Sequence, residues 1–70
     1  MNIDTERLES LVLSQIPDEV LKELKIDVKV CVHNSKIEDG EIVVQLPNHG
    51  YLTYDPVTYT PTGGGGGGAE

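Results

Sequence analysis

Along the first 24 positions, apolar residues recur with the period of a helix. Leu8, Leu11, Val12, Gln15 and Ile16 fall at i, i+3, i+4, i+7 and i+8, so one helix over Asp4 to Gln15 would carry them on a single buried face. Asp4 is placed to cap that helix by accepting from the free amides of its first turn. Leu13 lies off the stripe, as a lone surface leucine or the mark of a second contact face. Pro17 breaks the pattern and suits the start of a second, short helix with Val20, Leu21 and Leu24 inward. Acids Asp18 and Glu19 at its beginning and Lys22 and Lys25 near its end both complement the helix dipole.

From residue 26 the period changes to two. In IDVKVCVH, Ile26, Val28, Val30 and Val32 alternate with Asp27, Lys29, Cys31 and His33, which predicts a strand with one dry face. Residues 34–40 are rich in turn formers and include the hairpin dipeptide Asp39-Gly40. Glu41 to Leu46 reads as a second strand with Ile42, Val44 and Leu46 inward. PNHG (47–50) reads as a turn and Tyr51 to Tyr54 as a third strand. Asp55-Pro56 interrupts it, and 57–60 reads as a short extended piece. The expected fold class is therefore α+β. Two N-terminal helices are followed by a three-stranded antiparallel meander, with Leu8, Leu11, Val28, Val30, Ile42 and Val44 in the core. The single domain spans 1–60, and a glycine-rich arm spans 61–70.

The arm, PTGGGGGGAE, offers no side chain from Gly63 to Gly68 that can pack. Its freedom to follow another surface closely predicts contact with a neighbouring subunit rather than a part in the fold. The preceding Val57 to Thr60 run would begin that contact by adding to a neighbour's open sheet edge.

Composition sharpens this picture. A chain of 70 residues without Trp or Phe builds a small core, and its one cysteine, Cys31, cannot form an internal disulfide. Domains of this size commonly lean on a partner. The net charge of −7 is uneven: residues 1–36 hold seven acids and all five bases, whereas 37–70 hold five acids and no base. Such a balance disfavours nucleic acid, whose binding is driven by cations that neutralise phosphate, and favours a basic protein surface. The N-terminal segment lacks the basic and apolar regions of a secretory signal, and no stretch is long enough to span a bilayer. A soluble protein of the cytoplasm or of a virion is expected.

The candidate chemistry is thin. Cys31 and His33, with His49 and Asp55, are the only residues of metal-ligand type that the strand reading could gather. Their spacing matches no zinc motif, so no metal or cofactor is expected. A reactive Cys–His pair would need an electropositive pocket, and the surroundings are acidic. Glu38, Asp39 and Glu41 sit on a turn tip, not in the cleft that paired catalytic carboxylates require. The glycine run lacks the Lys and the Ser or Thr of a phosphate loop. No enzymatic activity is expected. Tyr51 and Tyr54 point to opposite faces of one strand, so one of them is expected at a surface or interface. The expected partner-binding set is Tyr51, Tyr54, Val57, Tyr59 and Gly63, Gly64, Gly65, Gly66, Gly67 and Gly68. The expected role is a non-enzymatic accessory subunit of a larger assembly, with a virus particle as the setting and a cement, neck or tail component as the type. The competing expectation is an acidic inhibitor or adaptor that mimics DNA on a basic surface, using Glu6, Glu9, Asp18, Glu19 and Glu23.

Overall fold

The computed structural model describes residues 2–65. Three helices, α1 (Thr5–Gln15), α2 (Asp18–Leu24) and α3 (Val28–His33), precede four strands, β1 (Lys36–Glu38), β2 (Glu41–Leu46), β3 (Gly50–Tyr54) and β4 (Pro61–Gly65). The strands form one antiparallel sheet in the order β1-β2-β3-β4.

The first helix forms as its periodicity dictates. Asp4 caps it by accepting from the Arg7 amide at 3.1 Å, and Leu8 and Val12 are fully buried. Leu11 is partly buried against the same core, with Val20, Leu21 and Leu24 of α2. Lys25 ends α2 in the left-handed region (φ 55°), where its amide and that of Ile26 return to the carbonyls of Lys22 and Leu21. This is the double-bonded helix stop that usually employs glycine.

Residues 26–33 depart from the expected strand. Asp27 caps a six-residue helix by accepting from the Val30 amide at 3.3 Å. Val28, Cys31 and Val32 face the core at helical spacing, while Val30 is 52% exposed. The valine alternation is ambiguous because 28 and 32 share a face in both geometries. A cap at Asp27 and packing against α1 favour the helix over the modest β preference of valine.

Two hairpins form as the turn residues predict. Asp39 (φ 52°) and Gly40 (φ 78°) make the two-residue turn that joins β1 to β2, with Glu38 opposite Glu41. The 47–49 turn closes with the His49 amide donating to the Leu46 carbonyl at 3.0 Å. Ile42, Val44 and Leu46 face the helices, as expected from their alternation.

The sheet has four strands rather than three: residues 26–33 supply none, β1 forms inside the expected 34–40 turn, and the chain turns back after β3 to add β4. Asp55 accepts at its side chain from the Val57 and Thr58 amides at 2.7 and 3.0 Å. Its own amide donates to the Thr60 carbonyl at 2.9 Å. Residues 57–60 are thus the far side of a hairpin loop and not an extended piece. The returning segment pairs Pro61 with Tyr54, Gly63 with Thr53, Gly64 with Leu52 and Gly65 with Tyr51, and Thr62 is the extra residue of a bulge. The first part of the expected arm therefore lies inside the sheet. Its glycines are used there: a Cβ on Gly64 would stand 2.6 Å from the Tyr51 carbonyl oxygen, and one on Gly65 would stand 2.5 Å from the Tyr51 ring. The ring of Tyr51 lies over Gly65, which has no side chain of its own. Gly66, Gly67 and Gly68 lie outside the described residues.

Candidate interaction surface

One face of the sheet packs on the helices, and among the described residues the other carries no covering element. Cross-strand register places Val43 beside Thr53 and Gln45 beside Tyr51 on the uncovered side, with Thr53 next to Gly63 and Tyr51 next to Gly65. Val43, Gln45, Tyr51 and Thr53, with Glu38, Asp39 and Glu41 on one side and Thr62 to Gly64 on the other, line a shallow groove of about 420 Å³ that crosses all four strands. Val43 and Thr53 form its floor, each 8% exposed. The Thr62 hydroxyl donates to the Thr53 hydroxyl at 2.9 Å and satisfies the one buried polar side chain there.

The groove is acidic at one end. Glu38 and Glu41 sit directly opposite each other across the β1–β2 pair, and Asp39 lies in the turn between them. Like charges so placed disfavour the hairpin. Lys36 approaches Glu38 at 3.4 Å, but both side chains are well exposed, so the pair contributes little. Beyond Lys36 the sequence supplies no further Lys or Arg.

The four aromatic and apolar candidates separate. Tyr51 is 43% exposed on the groove face, and Val57, at the tip of the β3–β4 hairpin, is 74% exposed. Tyr54 is on the opposite face and fully buried, its hydroxyl bonded to the Gln15 side-chain oxygen. Burial pushes its phenol up to about 12. Tyr59 is also buried, so it is a core residue and not a contact. Its hydroxyl accepts from the Asp4 amide at 2.8 Å, its ring lies 4.7 Å below the Arg7 guanidinium, and Arg7 donates to the Thr58 carbonyl at 3.2 Å. Local pattern gave no sign of this clasp between the N-terminus and the hairpin. The signal that was available is the run Asp55-Pro56-Val57-Thr58. Proline presets the turn, and the Asp55 carboxylate receives the turn amides, which also hold it below its ordinary range.

The residues considered for metal or thiol chemistry do not converge. Cys31 faces the core from α3, and His33, two positions on, is exposed. Among the described residues no group of three or more His, Cys, Asp or Glu side chains is placed to hold a metal ion. Burial first, and then the charge of Asp27, raise the Cys31 thiol above its ordinary value, which works against a reactive thiolate. Among the described residues no helix is long and apolar enough to cross a membrane. Leu13 lies in a second shallow groove, between α1 and the α2–α3 segment, where Lys22, Lys25 and Lys29 are interspersed with Glu9, Asp18 and Asp27. No protein-family model matches the chain, and comparison with curated proteins and with solved structures found no match.

Proposed function

We propose that the protein is a non-enzymatic accessory subunit of a larger protein assembly, of the cement, neck or tail type in a virus particle. It seats on its neighbour through the uncovered face of its sheet. The observation that carries the reading is that face itself: a groove with an exposed aromatic, Tyr51, at one end and three carboxylates at the other, on a domain whose helices cover only the opposite side. The fitting neighbour is a protein subunit that presents Lys or Arg side chains to Glu38, Asp39 and Glu41 and an apolar group to Tyr51. An exposed tyrosine supplies contact area and a polar tip, and the acids supply orientation.

Gradient fractionation of the source particles or cells, with the chain detected by antibody, tests this. The native chain should sediment with a large species and stay there at about 0.5 M salt, where exposed charge pairs are screened within a few ångströms. A Tyr51→Glu chain should shift to the light fractions while keeping its melting curve. A native chain found only in the light fractions at every salt concentration would remove the proposal. Release of the native chain by salt alone would favour the acidic inhibitor instead.

A further inference from the structure

We infer that β4 is a self-pairing edge, through which two copies of the chain join their sheets in an antiparallel dimer of eight strands. The inference is independent of the partner on the sheet face and rests on the different construction of the two sheet edges. A free edge strand invites pairing, and proteins normally guard it by shortening it, charging it or bulging it. The β1 edge is guarded twice: it has three residues, and two of them are Lys36 and Glu38. The described part of β4 has five residues and no charge. Its one irregularity, the bulge at Thr62, lies at its start and leaves Gly63 to Gly65 in regular register with β3. Strand geometry leaves alternate backbone amides and carbonyls of those glycines facing away from β3, and none of the three carries a side chain of its own to shield them.

Charge permits a second copy at this edge more readily than at β1. With a net charge of −7, two copies repel least where acids are few: β4 itself carries none, and Asp55, in the loop that leads into it, is the nearest in sequence among the described residues. Glu38, Asp39 and Glu41 lie on the β1–β2 hairpin, at the far side of the sheet from β4. Two identical strands can pair antiparallel about a two-fold axis, which closes the contact. Both guarded β1 edges then become the ends of the joined sheet, so association stops at two. A two-fold axis perpendicular to the sheet keeps both helical layers on one side and both grooves on the other. The contact is small compared with the roughly 800 Å² per partner of a standard interface, so the dimer is a weak one.

Sedimentation equilibrium of the full chain between about 10 µM and 1 mM should show a monomer–dimer equilibrium with no larger species. Amide exchange at Gly63, Gly64 and Gly65 should slow as concentration rises, while exchange in α1 stays constant. Thr62→Glu, which sets like charges near the axis, should raise the dissociation constant about tenfold or more, and Thr62→Val should not. If Thr62→Glu fails to fold, the concentration dependence of native exchange decides alone. A native chain that stays monomeric to 1 mM, dimerisation undiminished in a folded Thr62→Glu, or exchange at Gly63 to Gly65 independent of concentration would each overturn the inference.

Discussion

Tyr59 shows opposed effects at one residue. Its backbone is left-handed (φ 63°), which costs a side chain with a Cβ about 1–2 kcal/mol. Glycine would remove that cost but also the buried ring, and truncating a buried aromatic costs about 3–5 kcal/mol. The ring, the Arg7 stacking and the hydrogen bond from Asp4 therefore outweigh the strain. Tyr54 gives a measurable signature of the same kind of burial. Below pH 10 its phenol is protonated whether the chain is folded or not. Between pH 10 and 12 the unfolded chain releases the proton and the folded chain keeps it, so stability falls as pH rises through that window. That retention of the proton corresponds to roughly 2–3 kcal/mol for this fully buried side chain. Urea unfolding across pH 9–12 should show that loss in the native chain, and the Tyr54→Phe chain should lack that component. Equal slopes in both would mean that Tyr54 reaches solvent.

Among the elements, α3 separates two patterns that the sequence left superimposed. On a strand, Val30 and Val32 point the same way and both would be buried. On the helix, Val32 is 1% exposed and Val30 is 52% exposed. Val30→Asp should therefore change stability by less than about 0.5 kcal/mol, as surface substitutions do. Val32→Asp should prevent folding, because it buries an unpaired charge. Thermal melts of the two variants check this, and loss of folding in both would restore the strand. The long helix and the two central strands were legible because each repeats its period over several residues and ends in recognisable cap or turn chemistry, at Asp4, Asp39-Gly40 and 47–50. The helix α3 was not, because six residues hold fewer than two turns and alternating valines satisfy either period. The left-handed stop at Lys25 was hidden because glycine usually marks that position.

At the scale of the whole molecule, the glycine run belongs partly to the fold, and nothing local in the sequence says so. Three of the five residues of β4 are glycine, so it has no side-chain periodicity to read. What makes Pro61 to Gly65 a strand is the hairpin at Asp55, the backbone pairing to β3 and the Tyr51 ring laid over Gly65, all of which depend on residues earlier in the chain. The candidate surface was legible only in part for the same reason. That one of Tyr51 and Tyr54 is exposed follows from strand alternation, whereas the groove requires knowing which face the helices cover. These facts set the consequence of ending the chain at Thr60. An arm outside the fold could be removed without thermodynamic effect. Removal of β4 instead takes away its backbone pairing, the Thr62–Thr53 hydrogen bond and the packing of Tyr51, and it opens β3, which carries the buried Tyr54, to solvent. With each hydrogen bond contributing about 0.5–1.5 kcal/mol net, the loss amounts to roughly 2–4 kcal/mol. For a domain of this length that lowers the melting temperature by about 10–20 °C. The comparison belongs at about 5 µM, below the concentration range in which β4 pairing between copies matters. An unchanged melting curve there would return residues 61–65 to the role of an arm.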